Sequence, residues 1–287
     1  MAQTEIGVMA HNEAGNLGHL LSRLLDEPGD HRICVVSSGS TDGTDRIAMS
    51  WAEQQPRIRV ILEPTRRGKA RAINRFFSNL AASTERVVLV SGDVLPERGA
   101  LQRLLAPLDE DHVQMTGAHP CPDNPRDTWV NRIVHFQWAL LDQVARDKPK
   151  LGEMVAFRTP INPIDPESVV DEAALEAQLT QNSTSLVYVS DARVTNRGPG
   201  TWRDLLAQRE RIWIGHRRLF KRTGYRVATH TIRGLVVPAI RYLARNPSEI
   251  LVALTAALIE LLARSRGSLR SDVPTIWPTL HSAKVRP

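Results

Sequence analysis

Two cysteines, Cys34 and Cys121, are all that the 287 residues contain, and no CxxC pair occurs. That excludes a disulfide framework and a zinc ribbon, and it fits a reducing compartment. No stretch reaches the roughly 18 consecutive apolar residues that mark a membrane span. The first residues, Met1–Glu5, are polar and the first apolar run, Ile6–Ala10, is short, so no secretory leader is expected. Neither GxGxxG nor GxxxxGK[ST] is present, which removes the strongest sequence support for a dinucleotide fold or a P-loop. Low-complexity tracts are missing as well.

What is there reads as an ordinary globular chain, 42% apolar and 24% charged, too rich in core-forming residues for wholesale disorder. Its length suits one large domain, or one domain with a smaller appendage. The net charge of +6 is unevenly spread. Residues 1–192 hold 19 Lys+Arg against 26 Asp+Glu, whereas residues 193–287 hold 18 against 5. An acidic body with a basic last third calls for an anionic partner, the candidates being a nucleoside diphosphate, anionic lipid or nucleic acid. The basic stretch Arg209–Arg226 has neither a nucleic-acid motif nor an aromatic stacking array, so nucleic acid is not expected.

The first half alternates short apolar runs with helical spacing. Ile6–Ala10, Ile33–Val36, Ile58–Leu62 and Val87–Val90 read as strands, with helices marked by Leu17–Leu25, Ile47–Ala52, Ala70–Leu80 and Leu101–Leu108. This pattern predicts a parallel sheet covered on both faces, with ligands beyond the carboxyl ends of its strands. In the second half, His119–Arg126 and Pro160–Pro166 read as loops, Leu186–Val189 as a strand, and Trp129–Val144, Val169–Leu179 and Thr201–Arg222 as helices. Leu235–Leu243 and Ile250–Ala263 are apolar helical stretches with Arg233, Arg241, Arg245, Arg264 and Arg266 around them. They suit either packing against the body or attachment to an anionic lipid surface.

Six segments carry chemistry. Asn12 and Glu13 follow the first strand and suit either a ribose contact or a helix cap. Ser37–Thr44, with Ser38, Gly39 and Asp42, is small enough for a ligand to approach its backbone. Gly68 opens a helix that carries Lys69 and Asn74; a helix start with a lysine favours phosphate. Ser91, Gly92 and Asp93 end the most apolar strand, where a carboxylate can hold a hard cation. Asp171 and Glu172 open a helix as dipole partners or as a general base. Gln208, Arg209, Arg211 and Trp213 lie on the basic helix, where arginine can clamp phosphate.

In their order and spacing these segments resemble a family 2 glycosyltransferase with the GT-A fold, over about residues 5–226. The family's Asn-Glu pair is matched by Asn12 and Glu13, its Gly-Ser-Thr-Asp-Gly-Thr loop by Gly39–Thr44, and its Gly-Lys…Asn by Gly68, Lys69 and Asn74. Its Asp-x-Asp is matched at the last position by Asp93, its acidic pair by Asp171-Glu172, and its Gln-x-x-Arg-Trp by Gln208 and Arg211, with Trp213 one place late. Met154, Ala156, Phe157 and Arg158 match its acceptor-side segment. Serines stand at 37, 38 and 91 where the family has acids.

The resemblance implies an α/β GT-A domain over 1–226, with a nucleotide-binding part at 1–118, an acceptor-side part at 119–226 and an amphipathic helical extension at 227–287. It implies an inverting enzyme taking a UDP- or GDP-type sugar donor, a hydroxyl acceptor and Mg²⁺ or Mn²⁺ held by Asp93. Asn12, Glu13, Ser38, Gly39, Asp42, Lys69, Asn74, Ser91, Gly92, Gln208, Arg209 and Trp213 would bind the donor, and Arg211 would act at the reacting centre. Register from Leu175 favours Glu172 as the base, with Asp171 as the alternative. A cytoplasmic protein is expected, peripheral to the inner face of a membrane. The three serines leave a second reading open, a catalytically degenerate GT-A domain that binds nucleotide or a partner.

Overall fold

The computed structural model describes residues 2–180, 185–270, 276 and 281–284. The expected alternation is present: β1 (Thr4–Ala10), α1 (Leu17–Leu25), β2 (Arg32–Ser38), α2 (Thr44–Gln54), β3 (Ile58–Glu63), α3 (Lys69–Phe77) and β4 (Arg86–Ser91). After β4 come β5 (Leu95–Pro96), α4 (Ala100–Leu105), β6 (Val113–Pro122), α5 (Trp129–Asp147), β7 (Met154–Arg158), α6 (Asp171–Leu179) and β8 (Ser185–Asn196). The chain continues through α7 (Trp202–Thr223), α8 (Ile232–Arg245) and α9 (Ile250–Leu269).

All eight strands form one sheet in the order β3-β2-β1-β4-β7-β6-β8-β5. The first four strands pair in parallel, as does β6 with β8, whereas β7 runs antiparallel to both neighbours. Side chains alternate across the pleat. Ile6, Val8, Val35, Val88 and Val90 therefore pack under α1, α2 and α4, and Met9, Cys34, Val36, Val87 and Leu89 under α3 and α6. The sheet is thus covered on both faces, as the GT-A fold requires. A third cluster joins Val130, Ile133 and Phe136 of α5 to Leu205 of α7 and Val252, Ala256 and Ile259 of α9.

Two segments differ from the sequence reading. His119–Pro122 is the end of β6, not a loop, because the parallel pairing with β8 resumes at His119↔Arg193 after a register shift. Such an irregularity accommodates prolines that cannot donate to a regular ladder. Met154–Arg158 is a strand, too short to show a period of its own and held on both sides by β4 and β6.

Within the expected 227–287 extension, residues 271–275, 277–280 and 285–287 and the Arg233 side chain lie outside the described residues. Helix α9 buries Val252, Ala256, Ile259, Ala263 and Gly267 against the body. Its outer face, and that of α8, remain apolar and exposed: Val236, Val237, Ile240, Leu251, Leu254, Leu258, Leu261 and Leu262 are between 45 and 66% exposed.

Candidate active site

Parallel register sets the site. Ala10 is level with Ser37, and Met9 with Ser91, so the segments after β1, β2 and β4 meet at one edge of the sheet. Asn12 adopts φ 55°, a left-handed conformation that asparagine tolerates better than most residues. There its Oδ1 accepts the Thr41 N–H at 2.7 Å and its own N–H donates to Ser40 Oγ at 3.2 Å. The Glu13 N–H donates to Thr44 Oγ1 at 2.7 Å. Asp42 accepts the N–H groups of Ala14 and Thr44, each at 3.0 Å. Burial opposes its charge, yet the hydrogen bonds from Thr44 and Ala14 hold its carboxyl below the usual range. Asn12 and Asp42 thus lace the two loops together.

Ser37 and Ser38 are buried. Ser37 Oγ donates to Asp45 Oδ1 at 2.5 Å, and Ser38 Oγ has no hydrogen-bond partner among the described residues. Gly39 sits at φ 59°, where an added Cβ would lie 2.4 Å from the Arg66 nitrogen. Gly39→Ala is therefore expected to cost about 2 kcal/mol or more, read as a lowered denaturant midpoint. An unchanged midpoint would show that the loop can move away.

The second half of the site comes from α3, α6 and α7. Lys69 Nζ donates to Glu172 Oε1 at 2.6 Å. Burial works against both charges, but each supports the other, and Glu172 is held well below the carboxylate range. Asp171 is 5% exposed and its Oδ1 accepts no hydrogen bond among the described residues. Burial pushes its carboxyl up, and Glu172 adds to the rise. Arg211 is half-buried with its Nε unpartnered among the described residues, and it is attracted by Asp171, Glu153, Glu172 and Asp93.

Other expected site residues have different work. Asn74 clamps the loop after β7: its Nδ2 donates to the Ile164 carbonyl at 2.7 Å and its Oδ1 accepts the Ile164 N–H at 2.9 Å. Arg209 bonds Glu260 of α9 at 2.8 Å, and Trp213 Nε1 donates to Ser268 Oγ at 3.2 Å. These two share the face of α7 that meets α9. Gln208, three residues before Arg211, shares the other face by spacing. Gly92 lies so close under Glu13 that an added Cβ would be 2.8 Å from Glu13 Cγ.

Two residues escaped the sequence reading. Arg66 sits against the Gly39 turn and is repelled by Arg211, so it adds to the positive side of the site. Glu153, just before β7, borders a tight crevice with Ser91, Lys69 and Glu172, one too narrow to hold a water. It has φ 62°, and burial, with Asp93 and Glu172 nearby, raises its carboxyl to about 7. Nothing in the sequence distinguishes it from other acids.

Among the described residues no group of three or more His, Cys, Asp or Glu side chains is placed to hold a metal ion. Mg²⁺ and Mn²⁺ sites for phosphate chemistry seldom need one, because one or two carboxylates and the substrate's own oxygens suffice. The hard oxygens of Asp93, Ser91 and Glu153 at the end of β4 fit that donor chemistry.

The model of glycosyl transferase family 2 matches residues 5–162. Among curated proteins, the succinoglycan biosynthesis protein ExoA of Rhizobium meliloti (strain 1021) is 31% identical over 81 residues. That match spans 28% of this chain and 24% of ExoA, so the chain aligns with about a quarter of that relative. Among solved structures, the mannosyltransferase PcManGT of Pyrobaculum calidifontis, in complex with GDP-Man and Mn²⁺, superposes with a TM-score of 0.62 at 22% identity. The superposition covers 95% of this chain and 77% of PcManGT. Glucosyl-3-phosphoglycerate synthase of Mycobacterium tuberculosis, with Mg²⁺ and UDP, gives 0.52 at 20% identity over 79% of this chain and 81% of its own. The family match covers more than half of the chain, its segments meet at one edge of the sheet, and the fold is shared with these transferases: the protein belongs to glycosyl transferase family 2.

Proposed function

We propose that the protein is an inverting glycosyltransferase that moves a sugar from a nucleoside-diphosphate donor to a hydroxyl acceptor. The observation that carries this reading is the convergence of Asp93, Glu172 and Asp171 with Lys69 and Arg211 beyond the carboxyl ends of the strands. The laced loops of Asn12, Glu13 and Ser37–Thr44 hold the nucleoside. Lys69, Arg211 and Arg66 face the diphosphate and offset its charge. A divalent cation bound at Asp93 supplies further charge neutralisation to the leaving diphosphate. Glu172, which borders the crevice, takes the acceptor hydroxyl proton as the new C1–O bond forms and the bond from C1 to the diphosphate oxygen breaks. Diphosphate competes with Glu172 for Lys69, so donor binding frees the base.

Calorimetric titration of the full chain with UDP and GDP, each with and without MnCl₂, tests this reading. Cation-dependent binding of one nucleotide, followed by transfer from its sugar derivative, is the expected result. Binding without any transfer or donor hydrolysis favours the degenerate GT-A domain that Ser37, Ser38 and Ser91 keep open. No binding at all refutes the transferase reading and leaves the degenerate domain acting on a partner.

The exposed apolar faces of α8 and α9 support an anionic membrane surface as a partner. No helix among the described residues is long and apolar enough to cross a membrane. The leucines at 251, 254, 258, 261 and 262 nevertheless share one face of α9, while the nearby Arg241, Arg266 and Arg270 are 45 to 56% exposed, the first paired with Asp147 and the other two with Glu210. An apolar stripe with basic neighbours suits the interface of anionic lipid. The full chain is expected to co-sediment with phosphatidylglycerol-containing vesicles, and the Leu254→Glu/Leu258→Glu variant to stay in solution. Equal behaviour, or concentration-dependent dimerisation without lipid binding, would assign the face to protein instead.

A further inference from the structure

Ser91 stands where the first acid of the Asp-x-Asp motif is expected, and the residue beside it across the β4–β7 pairing is an acid, Glu153. Strand β7 runs antiparallel to β4 with Val90 opposite Met154. One residue further on, Ser91 is therefore level with Glu153, and the Ser91 N–H donates to the Glu153 carbonyl at 3.4 Å. Ser91 and Glu153 border the same tight crevice, with Lys69 and Glu172.

Asp93 and Glu172 repel the Glu153 carboxylate, while Lys69 and Lys150 attract it. Its backbone is also held in place: buried Glu176 of α6 accepts the Leu151 N–H at 2.6 Å and the Tyr225 hydroxyl at 2.9 Å. The segment that presents Glu153 is thus anchored, and its carboxylate lies within electrostatic reach of a second carboxylate, Asp93. A hard divalent cation relieves that repulsion and uses both sets of oxygens.

We propose that Glu153 is a carboxylate of the divalent-cation site, supplied across the β4–β7 pairing in place of the acid absent at Ser91. This inference rests on the cation-dependent donor binding proposed above. It divides the two acids of the usual motif between two strands, Asp93 on the loop after β4 and Glu153 ahead of β7.

The test is calorimetric titration of the full chain with MnCl₂ in the presence of saturating UDP or GDP, with thermal melting of the metal-free protein as a second readout. Glu153→Gln is expected to weaken Mn²⁺ binding about tenfold or more. It should leave the metal-free melting temperature unchanged or raised, because a repulsive charge is gone. Adding Ser91→Asp to that variant moves the carboxylate back across the pairing and should restore Mn²⁺ affinity to within about threefold. Mn²⁺ affinity within twofold of wild type in Glu153→Gln overturns the inference, as does a loss that Ser91→Asp does not recover and that comes with a lowered melting temperature. Absence of Mn²⁺ binding in the wild type, or a normal affinity in Asp93→Asn, refutes the cation reading of the whole site and this inference with it.

Discussion

Asp93→Asn is expected to abolish cation-dependent nucleotide binding and to lower turnover by about a thousandfold. Asp93 ends the loop that follows the innermost apolar strand, and position 91 has no acid to take its place. The substitution keeps the side chain's size and removes its charge, so folding is affected little. Mn²⁺-dependent nucleotide affinity and steady-state turnover, measured on the same preparation, check the expectation. Undiminished turnover at saturating donor would remove the cation from Asp93 and leave charge neutralisation to Lys69, Arg66 and Arg211.

Glu172→Gln is expected to reduce kcat by two to four orders of magnitude, roughly the span contributed by a positioned general base. The donor KM should stay the same or fall, because the glutamine no longer holds Lys69 in an ion pair. Asp171→Asn should reduce kcat far less, since Asp171 is buried behind the pair and does not border the crevice. The reverse pattern, with Asp171→Asn the inactive variant and Glu172→Gln the mild one, would assign the base to Asp171.

The same pair has opposite consequences for stability. Glu172 is held low by Lys69, so its contribution is present above the ordinary carboxylate range and is lost as acid protonates it in the folded chain. Asp171 is pushed up by burial, so the folded chain keeps its proton where the unfolded chain has released it. Stability due to Asp171 therefore falls as pH rises above the ordinary carboxylate range. Denaturant midpoints of Asp171→Asn across pH 4 to 8 should lack that decline.

Much of the site was legible because its parts are local. Asn12 with Glu13, Gly39–Thr44, Gly68-Lys69 and Asp93 each follow a strand or open a helix, and the order of such segments survives even when each is ambiguous alone. The parallel half of the sheet was legible for a related reason: Ile6–Ala10, Ile33–Val36, Ile58–Leu62 and Val87–Val90 are continuous apolar runs between helices, as strands buried on both faces must be.

Side-chain direction on α7 was not legible. Arg209 and Arg211 are two residues apart on a helix and chemically identical, yet one bonds Glu260 of α9 and the other faces the carboxylates of the site. The helix is basic on both sides, so its composition cannot say which side meets the ligand. The outward face of α9 was hidden similarly, because apolar residues line both faces of that helix.

By itself, then, the sequence determined the family, the parallel strand–helix body and the local turns that bear Asn12, Lys69 and Asp93, since these depend on residues near one another in the chain. Only the tertiary structure decided which acids meet. Glu153 comes level with Ser91 because β7 inserts antiparallel beside β4, and Glu172 meets Lys69 across 103 residues. Pairings of that kind arise from strand order and packing, quantities that no local spacing of residues records.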